Sequence, residues 1–388
     1  MKINEIPEAL EKIKRAGRFR TVEDLRMETA SSGIGRDGKK YIVFNSNDYL
    51  GMTHERSVQK AAEKALPFGT GSGGARLTSG AVFELSLLEK DLADFKHTED
   101  ALVFNTGYMT NLGVLYGLAG EGDVIFSDEL NHASIVDGCR ISRAEIVVYR
   151  HSDIEELEKL LEETPCRGQR FIVTDGVFSM DGDICKLPEL LRLKKKKEAF
   201  LIVDDAHGVG VIGETGRGSA EYFHTSGIDI QIGTLSKSLG AEGGYGAATK
   251  EICDYLRNVS RPFIFSTAIS AVTAAAARES LRLMRENPDY YLGKLRNNTS
   301  YVRKRLKEGG LPVSDGDMPI IPVLMGEERK AVDFAKACKE EGILVSAIRP
   351  PTVPKGTSRI RVSVTAVHTK EELERGTEVM IRRWNDFR

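Results

Sequence analysis

The sequence predicts an α/β protein with a mostly parallel central sheet, followed by a smaller α+β domain. Three observations predict it. From residue 123 strand-like and helical segments alternate: DVIFSD, a helix over 134–142, EIVVYR, a helix over 153–162, RFIVTD, a helix over 187–197, then FLIVDD. Repeated β-α units imply parallel strands joined by right-handed crossovers. The apolar runs are continuous, as in strands covered on both faces. Polar clusters follow the strand ends, at 131–134, 176–183, 204–207 and 234–237. They should converge on one edge of the sheet, where open α/β sheets bind ligands.

The chain before these units is less regular. Pro7 to Ala16 reads as a short helix with Ile6, Leu10 and Ile13 on one side, stopped by Gly17. Arg18 and Arg20 follow in an irregular segment. A strand is expected over 41–44, a turn over 45–51 (NSNDYLG) and a helix over 54–66. GTGSGG at 69–74 matches GxGxxG only weakly, because a helix precedes it instead of a strand. A helix over 82–95 and a strand over 101–104 come next, and Asn105-Thr-Gly-Tyr opens another helix. Such a junction offers free backbone N–H groups to a phosphate. Its plainer reading is an N-cap at Asn105 or Thr106.

After residue 270 the pattern changes. AVTAAAARESLRLMR and residues 290–307 read as long helices. A strand over 320–324, a helix over 330–341, a strand over 343–347, the rigid turn PPTVP and a C-terminal helix complete an α+β domain. RIRVSVT from Arg359 alternates, so it reads as a strand with one solvated face. Arg361 falls in phase with Arg359, Ser363 and Thr365, so the alternative is an anion clamp. The expected division is an N-terminal segment 1–45, a large domain 46–285 and a C-terminal domain 286–388.

Composition bounds the function. The chain has 388 residues, 41% hydrophobic and 29% charged, which is ordinary globular composition. A net charge of −2 argues against nucleic acid or an anionic membrane as a general partner. The basic run Lys194 to Lys197 reads as a solvated helix end. Five scattered cysteines without a CxxC pair argue for a reducing compartment and against disulfides or a zinc site. No HExxH and no His/Cys cluster point to a metal. No apolar run reaches membrane-spanning length, and the N-terminus lacks a signal peptide's apolar core. The expectation is a soluble cytoplasmic protein. No GxxxxGK[ST] loop is present; a second GxGxxG at 208–213 follows a strong strand and raises a dinucleotide-binding rival. ETGRGS after it is turn-like and begins no helix, which argues against that rival.

The chemistry concentrates in two stretches. DIQIGTLSKSLGAEGGYG, residues 229–246, places Lys237 just past a buried strand, flanked by Leu235 and Leu239 with no charge until Glu242. Desolvation lowers a lysine's pKa and leaves a neutral amine able to form a Schiff base with an aldehyde. The plainer reading is a loop-capping lysine. FLIVDDAH, residues 200–207, ends a strand in Asp204, Asp205 and His207. An aspartate there can partner a protonated ring nitrogen, as pyridoxal phosphate requires, but Asp204 alone would more often be a helix or turn cap. An aspartate, a histidine and a lysine at successive strand ends are a sharper signal than any one of them.

The phrases NDYLG, GTGSGGARLTSG, NTGYMTN, DELNHAS, TDGVFSMDGD, VDDAHGVGVIGETGRG, GTLSKSLGAEGGY and FIFSTA resemble those of the α-oxoamine synthases, from about Arg20 to the last helix. That family consists of pyridoxal-phosphate enzymes of the aspartate-aminotransferase fold, fold type I. The resemblance implies that Lys237 holds the cofactor as a Schiff base and that Asp204 pairs with its ring nitrogen. It implies that His207 meets the ring's phenolic oxygen, with Ser179 near, and that His132 stacks on the ring. Gly107 and Tyr108 would bind the phosphate through N–H groups, Thr234 through its hydroxyl, and Ser266 or Thr267 from a neighbouring subunit. Asn47 and Arg361 would meet a substrate carboxylate, and Arg20 and Thr352 match further substrate-contact positions. The reaction implied joins an amino acid to an acyl thioester, with Lys237 or His132 moving the proton. AIRPPTVPKGTSRIRV most resembles members that join alanine to a pimeloyl thioester; members that join glycine to acetyl-CoA are the alternative. A homodimer with shared active sites is also implied. A non-catalytic scaffold is the contrasting reading, and the presence of Lys237, Asp204 and His207 argues against it.

Overall fold

The computed structural model describes residues 2–15 and 18–387. The first helix runs Ile6–Arg15, and Ala16 and its expected stop, Gly17, lie outside the described residues. The central sheet has seven strands in the order Asp100–Phe104, Gly244–Ala248, Ile230–Thr234, Phe200–Asp204, Arg170–Asp175, Val124–Asp128 and Glu145–Tyr149. Neighbours pair in parallel except around Gly244–Ala248, which runs antiparallel to both of its partners. The other six strands therefore point the same way. Their carboxyl ends, from Phe104 to Thr234, lie along one edge.

Every residue of Val124–Asp128 and Ile230–Thr234 is buried, as continuous apolar runs require. Glu145–Tyr149 is one of the two edge strands and is largely exposed. Leu115, Ile135 and Leu256, from the helices Gly107–Leu118, Ala133–Ser142 and Lys250–Val259, join one apolar cluster on the sheet. Leu157, Leu161, Leu187 and Leu190, from Ile154–Glu163 and Leu187–Lys197, join another. The basic run ending the latter helix is not simply solvated: Lys196 reaches Glu158 at 2.7 Å and Lys197 reaches Glu162 at 2.6 Å.

Four findings depart from the sequence reading. Gly244–Ala248 was not anticipated, because its small residues carry no strand signature. They are needed for space: a Cβ on Gly244 would lie 2.5 Å from the Gly107 Cα. The expected strand over 343–347 is split. Ile343–Leu344 pairs in parallel with Lys40–Val43 of the N-terminal sheet, while Ser346–Ile348 joins a three-stranded sheet with Ser358–Ser363 and Ile320–Gly326. Ser358–Ser363 has no solvated face; all six of its residues are buried. Its polar side is covered by the 176–183 loop, since Arg359 pairs with Asp181 and Arg361 donates to the Ser179 carbonyl at 2.7 Å. Finally, the strands Leu25–Met27 and Ser32–Gly35 were too short to read. The second glycine-rich motif opens no dinucleotide-binding helix: Gly210 and Gly213 turn with φ of 72° and 88°, and the next helix, Ser219–Tyr222, has four residues.

Two charge arrangements, one buried and one half-buried, fix the loops at the sheet's carboxyl edge. Asp205 lies 3.2 Å from the Lys96 amine, with side chains 3% and 0% exposed. It also accepts from Ser219 N–H at 2.8 Å and Oγ at 2.5 Å. Burial lowers the Lys96 pKa, and the Asp205 charge opposes that. A Cβ at Gly176, Gly208 or Gly218 would come within 2.6, 2.0 and 1.9 Å of an Asp205 oxygen, so the carboxylate occupies a shell of glycines. In the second arrangement, His151 Nδ1 meets Asp128 at 3.0 Å and Nε2 meets Asp183 at 2.8 Å. Two carboxylate acceptors require both ring nitrogens to donate, so His151 is an imidazolium. Burial alone would depress its pKa; the bonds to Asp128 and Asp183 outweigh burial and raise it to about 10. The clamp ties the 128–134 turn to the 176–183 loop.

Replacing Lys96 by Met should lower the unfolding free energy in urea by about 3 kcal/mol, because a buried carboxylate loses its counter-ion. A loss under about 1 kcal/mol would show that Ser219 alone satisfies Asp205. His151 gives a pH signature. Its folded pKa lies above the unfolded value of about 6.5. Its stabilisation is therefore complete below that pH, declines between about 6.5 and 10, and is absent above. The stability gap between wild type and His151→Gln should close over that window, as read by denaturation at a series of pH values. A gap constant across it would exclude a protonated His151.

Candidate active site

The parallel register of Phe200–Asp204 with Arg170–Asp175 sets Asp204 beside Asp175 at the strand ends. Asp204 is held by the Asn111 amide at 2.6 Å and by its own turn, the Ala206 N–H at 2.9 Å. Asp175 accepts the His132 N–H at 2.7 Å. Burial pushes the Asp175 carboxyl well above the usual range, and the neighbouring Asp204 charge adds to that. Lys237 sits three residues past Ile230–Thr234, half-buried. Among the described residues its amine has no hydrogen-bond or ion-pair partner. Desolvation lowers its pKa to about 8; Asp204 and Asp175 hold it from falling further, and Arg361 pushes it down.

Two histidines border this amine. His132 caps the helix Ala133–Ser142, its Nδ1 accepting from Ser134 N–H at 3.2 Å and contacting Ser134 Oγ at 2.6 Å. Ser134 Oγ in turn meets Asn111 at 2.9 Å, so Asp204, Asn111, Ser134 and His132 form one chain of contacts. His132 is thus both the helix cap and a cleft residue, and its ring is exposed. Desolvation lowers its pKa, Asp204 opposes this, and Lys237 adds to it. His207 is buried with Nδ1 2.8 Å from the Tyr49 hydroxyl. Burial depresses its pKa strongly, and the charges of Lys237 and Arg361 add to that.

Arg361 is buried among acceptors. Its Nε donates to the Ser179 carbonyl at 2.7 Å and Nη1 to Ser363 Oγ at 3.0 Å. Nη2 donates to Asn47 Oδ1 at 3.0 Å and to Tyr49 Oη at 3.2 Å. A guanidinium has five N–H groups. Four are engaged here, so the open bidentate fork expected from the sequence is occupied by Asn47 and Tyr49.

The strand Asp100–Phe104 leads to Gly107–Leu118, with Thr106 Oγ1 accepting from Met109 N–H at 3.0 Å as the N-cap. Among the described residues the N–H groups of Gly107 and Tyr108 donate to nothing. Thr234 faces them, since a Cβ on Gly107 would lie 3.4 Å from its side chain. Its hydroxyl contacts Gly243 O at 2.9 Å and Ser236 Oγ at 2.7 Å. The result is a helix N-terminus with two free donors, faced by a threonine hydroxyl that donates to Gly243 O in the resting chain.

Other expected residues lie farther out. Ser179 meets Arg361 through its carbonyl. Thr267 is exposed, and its carbonyl accepts from Asn105 at 2.5 Å; Ser266 Oγ is 4.0 Å from Met109 Sδ. Thr352 closes a turn through its N–H to Arg349 O at 3.1 Å, across the cis bond Pro350-Pro351, and its side chain is exposed. Arg20 is exposed without a contact to the cluster, while Arg18 pairs with Glu328 at 3.3 Å. Sequence reasoning missed Tyr49, Asn111 and Asp175 as members of the site. All three stood inside quoted phrases, NDYLG, NTGYMTN and TDGVFSMDGD, but nothing local shows where their side chains go. Among the described residues no group of His, Cys, Asp or Glu is arranged to hold a metal ion, and no helix is long and apolar enough to cross a membrane.

Comparison with known proteins agrees with this geometry. The profile of class I and II aminotransferases matches residues 39–380. The 8-amino-7-oxononanoate synthase of Thermoanaerobacter pseudethanolicus is 46% identical over 372 residues, covering 95% of this chain and 94% of that protein. The serine palmitoyltransferase of S. paucimobilis, solved with a bound PLP–myriocin adduct, superposes with a TM-score of 0.94 at 31% identity over 100% of this chain and 99% of that one. The 8-amino-7-oxononanoate synthase of Francisella tularensis superposes with a TM-score of 0.76 at 28% identity, covering 89% and 98%. The free groups fit pyridoxal phosphate: an unbonded amine of lowered pKa, a strand-end carboxylate and two unpaired N–H groups at a helix start. By profile, by sequence and by fold, the chain belongs to the class I and II aminotransferases, and within them to the pyridoxal-phosphate-dependent α-oxoamine synthases.

Proposed function

We propose that this chain condenses L-alanine with a pimeloyl thioester, carried by CoA or a carrier protein. The products are 8-amino-7-oxononanoate, the free thiol and CO2, a step of biotin biosynthesis. The observation that carries an enzymatic reading is the lowered amine of Lys237 set against Asp204 at the strand ends. The choice of substrates is supported by 46% identity to a synthase of that name over nearly the whole chain.

When bound, pyridoxal phosphate supplies an aldehyde and a protonated ring that draws an electron pair from the substrate's α-carbon. Lys237 would hold it through Nζ. Asp204, pinned by Asn111 and Ala206, would keep the ring nitrogen protonated, and Asp175 would fix the loop that presents His132. Gly107, Tyr108 and Thr234 would hold the phosphate, Thr267 joining from a second subunit. His207 would donate to the ring oxygen with Ser179 near. Arg361 and Asn47 would orient the amino acid's carboxylate, while Arg20 and Thr352 would line the acyl entrance on exposed segments. Lys237 Nζ or His132 would take and return the α-proton.

A cytoplasmic homodimer completes the reading. Phe68, Leu77, Phe83 and Phe265 are large, apolar and more than half exposed. They come from segments joined to one another: Ala75 bridges Thr267, and Gly74 O accepts from Ala268 N–H at 2.9 Å. An exposed apolar surface of this kind marks an interface, and it borders the Asn105–Tyr108 junction. The division into a segment 1–45 and domains 46–285 and 286–388 is part of the same proposal.

Two predictions follow from the amine. At pH 7 a pKa of about 8 leaves roughly a tenth of Lys237 neutral, against about 3 in 10,000 for an ordinary lysine. The rate at which apo-protein takes up pyridoxal phosphate should therefore rise through about pH 8 and level off above it. A rate still climbing at pH 10 would assign Lys237 an unperturbed amine. Lys237→Ala should lower turnover by about 10²–10⁴-fold or more, as loss of a proton-transfer group requires. The substrate test is direct. Alanine should shift the cofactor's visible absorption, and pimeloyl thioester should then release CO2. Strong preference for glycine with acetyl-CoA would make the chain a glycine C-acetyltransferase instead.

A further inference from the structure

Tyr49 is fully buried and lies between two groups of the site, the Arg361 guanidinium and the His207 ring. Its hydroxyl has one proton to give and three neighbours. Arg361 Nη2, 3.2 Å away, is a donor only, so Tyr49 Oη accepts from it. The phenol proton must then go to Asn47 Oδ1 at 3.4 Å or to His207 Nδ1 at 2.8 Å. Hydroxyl hydrogen bonds lie between about 2.5 and 3.0 Å, so the first contact is too long and the second is normal. Asn47 Oδ1 is moreover already served by Arg361 at 3.0 Å. The His207 ring, buried beside Lys237 and Arg361, is held neutral, so it has one proton to place. Among the described residues its Nε2 has no hydrogen-bond partner.

We propose that Tyr49 is a positioning residue that donates its phenol proton to His207 Nδ1, so that His207 carries its own proton on Nε2 and presents that N–H to the cleft. The same phenol oxygen receives Arg361. One side chain therefore sets both the tautomer of the histidine and the seat of the arginine. What Nε2–H meets rests on the function proposed above: an anionic oxygen on the ring of a bound pyridoxal phosphate, to which a donor is favourable and a lone pair is not.

The test reads the histidine directly. Apo-protein labelled with 15N-histidine should show one neutral ring protonated at Nε2 with a hydrogen-bonded Nδ1, which disappears in His207→Gln. Tyr49→Phe removes one oxygen from a buried ring. It should move this Nδ1 signal and let the ring sample both tautomers, while circular dichroism stays unchanged. In the holo-protein, Tyr49→Phe should also weaken pyridoxal phosphate binding by about 10-fold, the lower range for loss of a group that orients a ligand-binding side chain. Asn47→Ala should leave the His207 signals where they are. A wild-type His207 protonated at Nδ1 would overturn the proposal, as would Tyr49→Phe spectra identical to wild type. The wild-type tautomer is read without cofactor or substrate. A different substrate preference would therefore overturn the proposed reaction and leave this assignment standing.

Discussion

The site depends on opposite charges carried together into a dry sheet edge. Two carboxylates, Asp175 and Asp204, end adjacent parallel strands, and the amine of Lys237 leaves the next strand over. Burial alone pushes Asp175 up and Lys237 down, each toward its neutral form. The acids keep the amine from falling below about 8, and the amine tempers the rise of Asp175. The amine's poise is therefore a property of the strand order. In a sheet where these strands were not neighbours, an exposed lysine would stay protonated near neutrality and an isolated one in apolar surroundings would be useless as a base for lack of a counter-ion.

Strand alternation explains why two consecutive aspartates serve opposite ends of the problem. Asp204 points to the cleft, where Asn111 and Ala206 fix its oxygens. Asp205 points the other way and is locked by Lys96 and Ser219 inside a shell of glycines. The locked acid makes the strand end rigid, and the rigid strand end orients the free one. The His151 clamp does the same for the neighbouring loops. Groups that must be placed to within a fraction of an ångström are best held by elements that cannot relax, and here the supporting contacts are as buried as the site.

How much of this was legible in the sequence follows from where the partners lie. The runs FLIVD and VIFSD announced buried parallel strands, because both faces of such strands must be apolar and that requirement is local. Lys237, Asp204 and His207 were legible because strand ends converge by topology alone. Gly244–Ala248 was not, since its glycines answer to Gly107, which is far away in the chain. The polar face of Ser358–Ser363 was read as a face pointing to water or an anion. Whether alternation means solvent or a partner is decided by what covers the strand, here a loop 182 residues away in sequence. Tyr49 illustrates the same limit. Its contacts to His207 and Arg361 span 158 and 312 residues, and nothing in NDYLG says that the tyrosine turns inward.

The occupied state of Arg361 has a consequence for how a carboxylate would enter. Buried polar groups are hydrogen-bonded, so a guanidinium waiting in a closed cleft must have acceptors. Asn47 and Tyr49 fill that need with neutral oxygens. On the function proposed, a substrate carboxylate would replace them with charged ones, and charge-assisted hydrogen bonds are roughly twice as strong. The exchange is favourable, and the arginine needs no further ordering, because Nε on the Ser179 carbonyl and Nη1 on Ser363 keep it in place throughout. The same logic discriminates among ligands. On the function proposed, a molecule with a neutral amide in place of the carboxylate would offer Arg361 nothing better than Asn47 already gives, so selectivity for an anionic end would follow from the resting contacts.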